Sequence, residues 1–271
     1  MKSYAIYDAD LNRTIPIGYL FYYEKAEEFV IELCEDLEEW DAPLLFQGLV
    51  RQGTYTVSKE DSLLWVKERV IPSGRQNIGM ILKSHHLKKY SEMALLALSK
   101  GRCAQDACYL DEVREWEVPE TIVERRKKNV QECFVTEDKQ LMCMFKDNTV
   151  RKVDLTKLVD SYNNVVHVLK NEDILRSANV GVGGYSVTFH GTIEIPATEL
   201  RKVGILLPLT TADFCDFVRN TVIDTTEACD KMECSRQNLS YMVKEGKVNP
   251  VIRGTKENLF LKGEIERMMQ E

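Results

Sequence analysis

TTEACDKMECSRQNLSYMVKEGKV, residues 225–248, holds two short helical patterns around a tight joint. Asp224 or Thr225 is placed to cap a first helix through Met232, and Glu233-Cys234 forms the joint. Ser235 is placed to cap a second helix that stops at Glu245-Gly246. Ala228, Cys229, Met232, Cys234, Leu239 and Val243 are spaced to make a core shared by the two helices. Pro250 prevents the helix resuming, and VIRGTKENLFL (251–261) predicts a hairpin with its tip near 254–258. GEIERMM (263–269) predicts a closing helix, and a helical pattern from about Thr210 precedes the whole arrangement.

Charge sharpens that reading. The chain has 271 residues and a net charge of −7, which by itself argues against a general nucleic-acid coat. Yet residues 231–262 carry seven Lys/Arg against three Asp/Glu, whereas residues 1–122 carry 14 against 21. Positive charge thus gathers on the two-helix stretch. Ser235, Arg236, Gln237 and Asn238 fall in the first turn of the second helix, where side chains reach base edges in a major groove. Arg suits guanine, and Gln or Asn suits adenine, through paired hydrogen bonds. Tyr241, Lys244, Lys247, Arg253 and Lys256 are placed to hold phosphates on either side.

T-T-E-A-C…M-x-C-S-R-Q-N-L…M-V-K-E-G-K-V followed by a wing resembles the helix-turn-helix of excisionase and MerR-type regulators, over about residues 222–270. The resemblance implies a winged DNA-binding domain. Members usually carry two Ala where this chain has Ala228-Cys229, and a small apolar residue at Cys234, so both cysteines read as core substitutes. The wing, GTKEN, is less positive than is common in that family, which implies modest affinity without dimerisation or a partner.

Outward from this stretch the period changes. Residues 133–155 alternate through Leu141, Cys143 and Phe145, turn at Asp147-Asn148 and resume at Val150, which predicts a hairpin. A short helix over 156–162 and a second hairpin around His190-Gly191 complete a small antiparallel α+β unit. L141-x-x-x-F145-x-D147, V153-D154-L155 and GGYSVTF-x-x-TIEIP (183–196) are similar to a bacterial domain-of-unknown-function family of small α+β proteins, over about 129–205. Some of that family are encoded beside small toxin-like genes. At the front, IGYLFYY (17–23) and FVIEL (29–33) predict a hairpin across a charged link. Helices are predicted over 58–70 with Ser58 as cap, over 73–87, and over 91–101 closing on Gly101. The G-Y-L-F-Y-Y opening, P72-S-G-R75-Q-N and L95-L96-x-L-x-K-G-R-C are similar to the N-terminal subdomain of HipA-type toxin kinases. The remaining residues are already assigned, so no kinase lobe is expected to follow.

The expected fold class is therefore α+β and multi-domain: two small α+β domains (1–122 and 123–208), then an all-α winged helix-turn-helix domain (209–271). Pro119 and ERRKK (124–128) are read as the first linker. No signal peptide is expected after the polar start, and no apolar run approaches the roughly 18–20 residues of a membrane span. Eight scattered cysteines then imply reduced thiols and a cytoplasmic location. CAQDAC (103–108) and Cys229/Cys234 lie at the edge of zinc-ligand spacing and lack companion histidines, so neither a metal nor a cofactor is expected. GVGGY (181–185) lacks the following helix of a phosphate loop and reads as a flexible turn. No triad order or nucleophile motif stands out, so the expectation is a protein without enzymatic activity.

EKAEEFVIELCEDLEEWD (24–41) holds nine acids against one Lys. A solvated face is its plain reading. Its sharper one is a contact for a basic protein partner (a toxin, kinase or defence nuclease) through Glu35, Asp36, Glu38, Glu39 and Asp41. Two functions follow from the residues. One is a homodimeric regulator of double-stranded DNA, an autorepressor of antitoxin type. The other is a protein inhibitor acting through the acidic front, with the helix-turn-helix serving autoregulation.

Overall fold

The structure is a computed structural model that describes residues 1–11 and 15–268. It is α+β, with several small antiparallel sheets interleaved with short helices.

At the front, Gly18–Tyr23 and Glu28–Leu33 form the expected hairpin, with Leu20 opposite Ile31. Two strands not expected from the sequence extend it, Lys2–Asp8 and Cys108–Val113, in the order 28–33, 18–23, 2–8, 108–113. One face of this sheet is covered by Trp65 and Val66 of helix Lys59–Lys67 and by Leu96 of helix Glu92–Ser99. Ser58 and Ser91 cap these helices by accepting from the amides of Asp61 and Ala94. The helix expected over 73–87 is confined to Ile78–Ser84, because the Pro72–Arg75 turn occupies its start and nothing in it is buried.

The other face corrects the expected linker. Residues 120–127 are a helix, Glu120–Lys127, whose Ile122 packs beneath Ala5, Tyr19 and Phe21. Arg126 lies over the Phe21 ring at 4.1 Å. The charge run is thus the half-buried cover of the front sheet, and position 122 falls inside that helix.

The middle hairpin forms as its sequence predicts, Leu141–Phe145 with Thr149–Val153, turning at Asn148 with φ 65°. Val130–Val135 and Ile205–Thr210 flank it, giving the order 205–210, 149–153, 141–145, 130–135. Ser186–Phe189 and Ile193–Pro196 form the second hairpin. Its three-residue connection, 190–192, puts His190 at φ 50° and Gly191 at φ 67°, left-handed conformations that suit the twist of a tight hairpin turn. Phe145, Val153, Phe189 and Leu200 fill the core between these sheets and helix Ala197–Val203. The helix expected over 156–162 is reduced to a 3-10 turn, Leu155–Leu158, which buries both of its leucines. GVGGY is tightly packed rather than flexible. Gly183 and Gly184 take φ of 63° and 77°, and a β-carbon at Gly184 would lie 2.0 Å from the Val130 carbonyl oxygen.

Front and middle are joined by polar contacts. Lys59 Nζ lies 3.0 Å from Glu28 and 2.7 Å from Glu194. Asn129 Nδ2 donates to the Gly183 carbonyl at 3.2 Å. Within the front, Arg125 of the covering helix donates to buried Glu32 at 2.8 Å and to Glu35 at 3.0 Å. Burial pushes the Tyr185 hydroxyl well above the usual phenol range, with the Glu32 carboxylate adding to it.

Residues 209–268 correct the all-α expectation for the last domain. Helix Thr211–Thr221 leads into a three-residue strand, Val222–Asp224, which pairs with Asn258–Leu261; that strand pairs in turn with Ile252–Arg253. The hairpin therefore belongs to a three-stranded sheet, because Ile223 and Phe260 meet across it and are both buried. Helices Thr225–Lys231, Arg236–Lys244 and Lys262–Met268 pack on it; the predicted end at Met269 lies outside the described residues.

Candidate nucleic-acid interface

Two caps and one joint position the second helix. The Asp224 carboxylate accepts from the amides of Thr226 at 2.7 Å and Glu227 at 2.9 Å, starting the first helix. Glu233 takes φ 50° at the joint, and the Cys234 amide closes on the Cys229 carbonyl at 3.0 Å. Ser235 Oγ then accepts from the Asn238 amide at 3.2 Å and starts helix Arg236–Lys244.

Ala228, Cys229 and Leu239 are buried with Val248, Phe260 and Ile265, and Met232, Cys234, Met242 and Val243 pack against them. Burial pushes the Cys229 thiol up, with Cys234 adding to the effect. With that face committed inward, the opposite face of the second helix is forced outward. All nine residues expected to contact DNA are exposed: Ser235, Arg236, Gln237, Asn238, Tyr241, Lys244, Lys247, Arg253 and Lys256.

Only some of the nine line a common groove. Arg236, Gln237, Tyr241 and Lys244, with Ser240, line an open groove of about 390 Å³ along the helix. Ser235, Asn238, Lys247, Arg253 and Lys256 are not part of its lining. The hairpin tip is tied to the first helix. Thr225 Oγ1 donates to the Asn258 carbonyl and accepts from the Asn258 amide, both at 3.1 Å.

Thr226 and Glu257 also belong to this surface, although the sequence pattern did not single them out. Arg236 Nη2 donates to Thr226 Oγ1 at 2.7 Å and lies 3.8 Å from Glu257 Oε1 at the hairpin tip. The guanidinium is exposed yet tethered. The acid in GTKEN was the available signal, but its contact joins residues 21 positions apart and has no local signature.

The acidic front is not one uniform face. Glu32 is buried beneath Arg125, Glu35 is bridged to Arg125 at 3.0 Å, and Glu39 lies 3.5 Å from Arg51. Asp36 and Glu38 are exposed and Asp41 is half-buried. Among them Trp40 is 80% exposed and Leu44 is 86% exposed, an apolar pair the charge count did not reveal.

None of the eight cysteines is in a disulfide. Burial pushes the Cys108 thiol up to about 12, with Asp106 adding to it, a poor basis for a thiolate ligand. Among the described residues no cluster of three or more His, Cys, Asp or Glu could hold a metal ion. No helix among them is long and apolar enough to cross a membrane. Compared with protein-family models, with curated proteins and with solved structures, the chain matches none.

Proposed function

We propose that the chain is a regulator that reads double-stranded DNA, with residues 222–268 acting as a winged helix-turn-helix. Helix Arg236–Lys244 enters the major groove, and the hairpin 252–261 is the wing. One observation carries this reading: four consecutive polar side chains, Ser235 to Asn238, are exposed on the first turn of a helix whose opposite face is buried. That is the geometry base readout requires. Arg236 and Gln237 supply paired donors and acceptors for base edges, while Tyr241 and Lys244 extend the same groove toward phosphates. Lys247, Arg253 and Lys256 hold the backbone on the wing side. The residues before 209 form the part that couples DNA binding to a partner, and autorepression in the manner of an antitoxin is the role that fits best.

The test starts from selection of a preferred duplex out of a random library by the full chain. Arg236→Ala and Gln237→Ala are expected to cost about 1–3 kcal/mol each on that duplex and little on a scrambled one. Lys247→Ala weakens both alike and lowers the salt slope by about one. Failure to enrich any duplex, or unchanged preference in both groove variants, removes the proposal.

A second reading has its own observation. Trp40 and Leu44, exposed beside Asp36 and Glu38, suit an aromatic anchor within an acidic rim, as a basic protein partner would use. Trp40→Ala would then abolish inhibition of that partner and leave DNA binding untouched.

A further inference from the structure

A cavity of about 490 Å³ opens beside residues 115–127, where the chain passes from the front sheet to the middle part. Glu115, Trp116, Val123, Arg126, Lys127 and Lys146 line it. Three segments supply these residues. Trp116 stands on the 3-10 turn Glu115–Glu117, Arg126 on helix Glu120–Lys127, and Lys146 on the turn after strand Leu141–Phe145. Val118 and Ile122, buried against the front sheet, fix the turn and the helix in place.

Two cations meet there without an acid bridged to either. Arg125 pairs with Glu32 and Glu35, and Lys127 pairs with Glu124. Arg126, between them in the chain, has no ion-pair partner among the described residues. Its guanidinium lies over Phe21, its Nη2 donates to the Met1 thioether at 3.3 Å, and its Nε is buried without a hydrogen-bond partner. Lys146 Nζ reaches a neutral acceptor, the Gly183 carbonyl, at 2.7 Å. Partial burial and the Arg126 charge together push the Lys146 ammonium below its usual range. A recess lined by charge of one sign draws the opposite charge in. In the same lining Trp116 is 76% exposed, with the Arg114 guanidinium 5.2 Å from its ring. An indole left in solvent beside cations is a stacking platform for a base.

We propose that this cavity binds a nucleoside monophosphate, its phosphate held between Arg126 and Lys146 and its base stacked on Trp116. Charge and size set that class. A phosphate monoester carries about −1.5 to −2 at neutral pH, which two unbridged cations match. The cavity lies within the roughly 300–1,000 Å³ of small-molecule sites, well beyond what a bare phosphate ion fills. Glu115, the acid of the lining, accepts hydrogen bonds from the ribose hydroxyls. Arg126 comes from the front and Lys146 from the middle, so the ligand also ties the two together. Lys146 and Asn129 both donate to the Gly183 carbonyl, which places the phosphate site directly on that junction. None of this depends on the reading of DNA.

Calorimetric titration of the full chain with adenosine, guanosine, cytidine and uridine monophosphate, and with inorganic phosphate, tests it. At least one nucleotide should bind at least about fivefold tighter than phosphate, the gain from a single base–aromatic stack. The same nucleotide should raise Tm. Trp116→Ala should bring its affinity down to that of phosphate. Lys146→Gln should weaken nucleotide and phosphate alike, by about tenfold or more. Both side chains are exposed, so both variants should melt as wild type does. Should Lys146→Gln fold poorly, Trp116→Ala still decides. Absence of nucleotide binding up to about 1 mM overturns the proposal. So does phosphate that binds as tightly as every nucleotide, or a nucleotide affinity unchanged in either variant. A single-stranded oligonucleotide that binds through Trp116 where free nucleotides do not would give the cavity to a nucleic-acid strand, and overturns it too.

Discussion

Replacing Arg125 by Ala tests how helix Glu120–Lys127 is held on the front sheet. The Glu32 side chain is 1% exposed, and Arg125 Nη1 lies 2.8 Å from its carboxylate. Thr56 Oγ1 donates a second hydrogen bond at 2.8 Å. Burial pushes the Glu32 carboxyl up, and Arg125 is the leading influence that opposes it. Removing one partner of a buried pair costs about 3–5 kcal/mol, because the remaining charge is uncompensated. Thr56 remains in place, so the lower end is expected, about 3 kcal/mol. Against a typical stability of roughly 5–15 kcal/mol this is a large fraction. It should lower Tm by about 6–12 °C for a unit of this size.

Urea unfolding followed by tryptophan fluorescence reads the change, since Trp65 lies in the front core. The sign with pH is fixed. A carboxyl with a raised folded-state pKa binds a proton that the unfolded chain releases, so its contribution falls as pH rises through the folded value. The Arg125→Ala deficit should therefore shrink on acidification. Glu32→Gln added to Arg125→Ala should recover most of the loss at neutral pH. A deficit under about 1 kcal/mol, as for an exposed pair, would refute the reasoning. So would a double variant no more stable than the single.

Glu257→Gln should tighten binding to any duplex by about three- to tenfold in a titration, because it removes an anion from the wing and releases Arg236; unchanged affinity would mean the 3.8 Å contact does not persist in solution. Gly184→Ala should cost more than about 3 kcal/mol in a denaturant melt, since a β-carbon would meet the Val130 carbonyl at φ 77°. Gly191→Ala, at φ 67° with open space around it, should cost about 1 kcal/mol. At Asp147, burial alone would raise the carboxyl, but hydrogen bonds from Arg201 and Thr149 hold it below the usual range. Its stabilisation is therefore present above the ordinary carboxylate range and lost as pH falls through the lowered value. The stability gap between wild type and Arg201→Met should accordingly narrow in acid, and a gap that stays constant with pH would count against the pair.

Features set by near neighbours in the chain are legible in the amino-acid sequence by itself. Ser58, Ser91, Asp224 and Ser235 each cap a helix through an amide two or three residues on, so residue type and spacing suffice to place them. The turns at Asn148 and His190-Gly191 are likewise local, because residues that tolerate positive φ stand where the alternating pattern breaks. The exposed row from Ser235 to Asn238 follows once the apolar positions of its helix are assigned inward. Tertiary contact decided the rest. Lys2–Asp8 carries no alternation because apolar cores lie on both faces of its sheet, and its partner Cys108–Val113 comes some hundred residues later. ERRKK carries a linker's composition, yet it forms a helix because Ile122 has a sheet to cover and Arg125 a buried acid 93 residues away. Val222–Asp224 is too short for any periodic signal and is a strand only because Asn258–Leu261 lies beside it. Capping and turn energies act within one turn of chain and are written in adjacent letters. Strand pairing and buried ion pairs draw their energy from partners that only the folded chain brings near.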